Sequence, residues 1–194
     1  MIIYSLKSSL LLLTLCSCTL LVAQENYQVQ KAKMTIEGTS SLHDWVSDVT
    51  ILKAEAILSL EDPNKIEIEH LLVKIPAKGI ISPKGKLMDK KTYKALKSTE
   101  FPEIQYKLTQ IQAQSGDEMT VVGALTIAGQ AKEIRLSVNS IRSGEAILFS
   151  GKHTLKMTDY KVEPPTALMG TIKTGNEVTI AFELSLIPTG GDPK

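Results

Sequence analysis

Lys152–Gly170 reads KHTLKMTDYKVEPPTALMG. His153, Leu155 and Met157 recur every second residue, as in a strand with one face turned inward. Thr158-Asp159-Tyr160 then breaks the alternation. Pro164-Pro165 removes two backbone donors and stiffens the connection that follows, which suits a rim and not a central strand. A whole domain upstream, Gly38–Trp45 (GTSSLHDW) is a second stretch of turn chemistry ending in the chain's one tryptophan.

Between these landmarks the period-2 pattern dominates. Met34 and Ile36 run toward Gly38, and Ala54, Ala56 and Leu58 form another alternating set. Ile66 and Ile68 keep one phase whereas Leu71, Val73 and Ile75 keep the other, which predicts a bulge near Glu69-His70. Further alternating sets begin at Ile104, Met119, Ile134, Ile147 and Val178. Ala128-Gly129-Gln130 reads as a tight connection with Gly129 at positive φ. Short strands at this spacing predict an all-β sandwich or barrel. Closure removes the exposed edges a sandwich must guard, and the candidate strands, about eight or nine, would make a barrel that packs its interior or admits one small ligand. The one helix expected is Asp89–Ser98, capped by Asp89 and ended by Phe101-Pro102, placed to cover a barrel end.

The N-terminus reads as an export signal over residues 1–23: Lys7, an apolar core from Leu10, and a small Ala23 before Gln24. The competing reading is a lipoprotein signal with Cys18 lipidated, although Cys16 is atypical in that motif. The expected organisation is a signal (1–23) and one barrel domain (24–194), exported to the periplasm. Both cysteines fall in the signal, so ordinary cleavage leaves no disulfide.

The chain has 22 basic and 21 acidic residues, and no tract is basic enough to follow a phosphate backbone. The densest cluster, Lys84 to Lys97, reads as a solvated helix face or as an attraction to anionic lipid head groups. No Gly-x-Ser-x-Gly elbow is present, and the cysteine-free mature chain offers no thiol nucleophile. A metal would need His43, His70 and His153 to converge. No metal, cofactor or catalytic residue is expected. His43-Asp44-Trp45 is expected to form a turn in which imidazole and carboxylate bond backbone amides while the indole packs over the barrel floor, or else to contact a ligand head group. Asp159-Tyr160 is read alike, the carboxylate fixing a turn and the ring buried.

Four blocks in order resemble the YceI-like domain, a family of bacterial exported proteins: Ile36–Trp45, Met88-Asp89 with Leu96–Ile104, Gly123–Ile134, and Met157–Pro165 with Gly170 and Glu177–Ile180. The resemblance implies an eight-stranded antiparallel lipocalin-like β-barrel with one short helix, wrapped around an elongated apolar cavity. It also implies non-catalytic binding of a polyisoprenoid or another long amphiphile, often in dimers. By phase, the expected lining is Tyr106, Leu125, Ile127, Phe149, Leu155, Met157 and Phe182. A homodimer and transient membrane contact are the partners considered beside the lipid. The alternatives are a structural or interaction barrel with a packed interior, and an enzyme acting on an isoprenoid-like substrate.

Overall fold

The computed structural model describes residues 25–60, 62 and 65–190. The expected signal and Cys18 lie outside the described residues. Eleven strands form: β1 (Glu25–Ser40), β2 (Trp45–Val49), β3 (Lys53–Ser59), β4 (Glu67–Pro76), β5 (Ile80–Ile81), β6 (Glu103–Ser115), β7 (Glu118–Ile127), β8 (Gln130–Ser143), β9 (Ala146–Lys156), β10 (Thr166–Ala167) and β11 (Ile172–Pro188). Helix α1 spans Lys86–Ala95.

All pairings are antiparallel, and pairing of β1 with β11 closes an eight-stranded ring, β1-β3-β4-β6-β7-β8-β9-β11. The remaining strands are short additions at one end. β2 pairs the far half of β1 (Thr35 to Gly38) while β3 pairs its near half (Glu25 to Gln28), so the two act as one interrupted strand. β5 pairs β2, and β10 pairs β11.

The predicted local devices sit where the phases put them. Glu69 is the extra residue where Ile57 pairs His70 but Leu58 pairs Ile68, which lets both apolar phases of β4 face inward. Ala128 and Gly129 both hold positive φ, 47° and 75°, the geometry of a type I′ hairpin joining β7 to β8.

The helix differs from expectation. It begins three residues earlier, behind Gly85 at φ 90°, with no side-chain cap. Asp89 is buried within it, and its Oδ1 accepts a 2.7 Å hydrogen bond from the Ser82 amide, so the carboxylate ties the incoming loop to the helix instead of capping it. At the other end Ser98 N donates to Tyr93 O and Lys97 N to Lys94 O, with Lys97 at φ 51°. This is a Schellman stop with lysine in the usual glycine position, and it ends the helix well before Phe101-Pro102.

The two barrel ends are built differently. At one, Tyr27, Leu58, Ile147 and Leu186 are each at most 3% exposed and pack the interior solid. The Arg142 guanidinium donates to the carbonyls of Asp62 and Lys65, holding these two residues between β3 and β4 at that end. The other end, ringed by the β1–β2 turn, α1 and the segment around β10, is open.

Candidate functional site

The interior of the ring is a cavity in two chambers. The outer, of ≈ 260 Å³, opens at the rim, and the inner, of ≈ 120 Å³, lies deeper. They meet at a waist, since Met34, Ile75, Ile104 and Ile180 border both. Each waist residue comes from a different strand, β1, β4, β6 and β11. The inward phases of these strands converge because alternate residues of a closed sheet must face its axis.

All seven lining residues expected by phase face this space. Ile127, Leu155 and Met157 border the outer chamber. Tyr106, Leu125, Phe149 and Phe182 border the inner one. The waist was not singled out in the sequence, although Ile180 shares its phase with Phe182, and Met34 and Ile104 open alternating sets of their own. The wall contributed by Ala95 and Leu96 is different. It follows from where α1 docks, which no local periodicity encodes.

Polar groups are few. At the mouth stand His43, Lys84 and Lys91. Deep in the barrel, His153 borders the inner chamber, and desolvation by burial lowers its pKa from the ordinary 6.5. Burial likewise pushes the Tyr106 phenol up to about 12. The Tyr106 hydroxyl is buried without a hydrogen-bond partner among the described residues.

The β1–β2 turn departs from expectation in its bonding. Ser40 Oγ accepts from the amides of Leu42 and His43 and donates to the His43 carbonyl, so a serine hydroxyl organises the turn. His43 Nδ1 donates to the Asp44 carbonyl at 2.8 Å, bonding a backbone oxygen and not an amide, while the Asp44 side chain is exposed. Trp45 Nε1 donates to Thr39 O at 3.0 Å, and its ring lies against Gly38, where a Cβ would meet the indole at 2.4 Å. The indole therefore borders the open mouth, whereas the barrel floor is the packed end.

Tyr160 is buried at 2% exposure and borders the outer chamber. Burial raises its pKa first, with a further contribution from the Asp159 charge. Asp159 itself is exposed and does not fix the turn. Asn176 does: its Oδ1 accepts from the Thr158 amide at 3.0 Å and its Nδ2 donates to Thr158 Oγ1 at 2.8 Å. A side chain from β11 reaches the turn because β9 and β11 are paired there, through Lys156 and Glu177.

Among the described residues no group of three or more His, Cys, Asp or Glu could hold a metal ion. No helix among them is long and apolar enough to cross a membrane.

Solved structures share this architecture. The chain matches BcnA of Burkholderia cenocepacia at 18% identity and TM-score 0.67, over 79% of this chain and 95% of that one. It matches a Saccharophagus degradans protein, described as a polyisoprenoid binding domain implicated in plant cell wall breakdown, at 13% identity and TM-score 0.63, over 84% and 98%. The Campylobacter jejuni YCEI protein matches at 19% identity and TM-score 0.56, over 68% and 79%. No curated protein matches. The model of the YceI-like domain matches residues 27–186, nearly the whole described barrel, and the chain belongs to that family.

Proposed function

We propose that this barrel takes up the apolar chain of an extended amphiphile, of isoprenoid type, tail-first through the open mouth and holds it without chemistry. The observation that carries the reading is the pair of apolar chambers meeting end to end inside a closed barrel, with polar groups concentrated at the mouth. Tail burial contributes roughly 25 cal/mol per Å² of apolar surface removed from water. The chambers are narrow beside common ligand pockets, which favours a thin, extended chain over a compact ring system. Met34 at the waist and Met157 in the outer wall are unbranched and can repack as a chain enters.

The lining residues Tyr106, Leu125, Ile127, Phe149, Leu155, Met157 and Phe182 then contact the tail, and His43 with Trp45 stands beside the head group. Export through residues 1–23 puts the carrier in the periplasm, where a water-soluble sheath for such a chain has a use. A homodimer belongs to the same proposal and is read by sedimentation.

Native mass spectrometry combined with lipid extraction tests the reading. The expected result is an apolar molecule released on denaturation and uptake of a prenyl alcohol by the delipidated, refolded protein. Absence of both, with the barrel folded by circular dichroism, leaves the packed structural barrel as the reading.

A further inference from the structure

Three chain segments form the mouth, and hydrogen bonds stitch them together. Ser41 N donates to Lys173 O and Lys173 N to Ser41 Oγ, joining the β1–β2 turn to β11. Lys91 Nζ donates to Thr166 O at 3.2 Å, joining α1 to β10. Each segment carries large apolar side chains pointing out to solvent. Leu42 is 66% exposed, Leu87 71%, Leu168 72%, and Met169 fully exposed. Clustering of such residues around one opening marks an interaction surface, whereas single exposed apolar residues scattered over a protein do not.

The backbone beneath two of them is strained in order to hold this display. Leu168, Met169 and Gly170 follow one another at φ 47°, 54° and 90°. Only the glycine adopts that region freely; for leucine and methionine it is disfavoured. Strain that aims two bulky apolar groups at water is characteristic of a functional surface.

The same rim is basic although the chain as a whole carries only a net +1. Lys84, Lys86, Lys90, Lys91 and Lys94 lie on α1 and its approach, and the one carboxylate in that stretch, Asp89, is buried against the Ser82 amide. Asp44, Asp159 and Glu163 are exposed acids of the other two segments, where Lys161 and Lys173 are exposed beside them. Apolar tips surrounded by lysines match an interfacial contact in which the tips enter the acyl boundary and the ammonium groups meet phosphates.

We infer that the rim docks the open mouth onto an anionic lipid surface, so that an amphiphile passes between bilayer and barrel without its tail crossing water. This deepens the carrier reading and rests on it for its purpose, but not for its measurement.

Flotation with vesicles of phosphatidylcholine alone, and of phosphatidylcholine mixed with phosphatidylglycerol, is the test. The wild-type protein should float with the anionic vesicles and largely remain behind with the neutral ones. Lys86→Gln with Lys90→Gln should weaken that partition by about fivefold for each lysine removed. Leu168→Asn with Met169→Asn should abolish it with no loss of thermal stability, because asparagine tolerates positive φ better than either native residue. Prenyl alcohol uptake from detergent should be unchanged in both variants. Equal flotation of wild type and the double asparagine variant overturns the inference, as does failure of the wild type to bind either vesicle. A wild-type dimer that the asparagine pair dissociates, without vesicle binding, also overturns it and makes the rim a contact between copies. Failure of detergent-phase uptake with vesicle binding intact would instead count against the carrier reading alone.

Discussion

The phenol end of Tyr106 sits over Gly123 on the neighbouring strand: a Cβ at Gly123 would come within 2.6 Å of both the phenol Cζ and its hydroxyl. The missing side chain is what lets an aromatic ring occupy the barrel wall there without filling the inner chamber. The same arrangement leaves the hydroxyl buried with no hydrogen-bond partner among the described residues.

Tyr106→Phe should therefore stabilise the delipidated protein. Leaving a buried donor unsatisfied costs about 1–3 kcal/mol, and recovering 1 kcal/mol in a domain of this size raises Tm by about 2–4 °C. Gly123→Ala should do the opposite, by about 1–3 kcal/mol, because the new methyl also meets the Lys107 carbonyl at 2.6 Å and that backbone cannot turn aside. Thermal unfolding of the two variants decides it. A Tyr106→Phe variant less stable than wild type would mean that the hydroxyl is satisfied in solution.

His153 should make the barrel sensitive to acid. Its folded pKa lies below the ordinary 6.5 because charging it in the apolar chamber is unfavourable. The unfolded chain therefore takes up the proton first as pH falls. Stability from this group is intact above about pH 6.5 and is lost progressively below it, down through the folded pKa. His153→Gln should flatten that part of the pH–stability curve, measured by urea unfolding between neutral and mildly acid pH. An unchanged slope would show that His153 does not carry it.

The Asp89–Ser82 bond is the tether between α1 and the strand segment before it. Asp89→Ala leaves the buried Ser82 amide unsatisfied, and the loss should be about 1.5–3 kcal/mol, the range for hydrogen bonds to charged groups. Hydrogen exchange should show the effect concentrated in residues 82–98, with the packed floor around Leu58 and Ile147 unaffected. A uniform loss of protection would instead mean that α1 and the barrel open as one unit.

That carboxylate also shows where reading the sequence stops. The strand phases were legible because a strand turns alternate residues to opposite faces, so Leu125, Phe149 and Phe182 could each be grouped with their own alternating set, but which face of each set turns inward is fixed only by closure of the ring. Asp89 looks locally like a helix cap. Its partner is seven residues upstream, and only the docking of α1 on the rim brings the two together. The same limit applies to Asn176, which reaches Thr158 from another strand and fixes the turn that the local sequence assigns to the Asp159 carboxylate. Leu42, Leu87 and Leu168 belong to three segments that no periodicity connects, and their convergence at the mouth is a property of the tertiary structure alone.

Trp45 offers the most direct optical readout, since it is the only tryptophan in the chain and borders the outer chamber. Its indole is held in two ways, by the 3.0 Å bond to Thr39 O and by its seat on Gly38. Gly38→Ala puts a methyl 2.4 Å from the ring, closer than any real contact, so the indole must leave that seat. Gly38 lies in β1 paired to both β2 and β11, and the strand ladders should hold the backbone while the ring swings outward. The expected result is a red-shifted emission with far-ultraviolet circular dichroism unchanged, and a mouth altered just where a head group would sit. Prenyl alcohol uptake should then weaken without being abolished, because the apolar chambers behind the mouth are untouched. Emission identical to wild type would show the indole mobile in solution and remove Trp45 from the binding site.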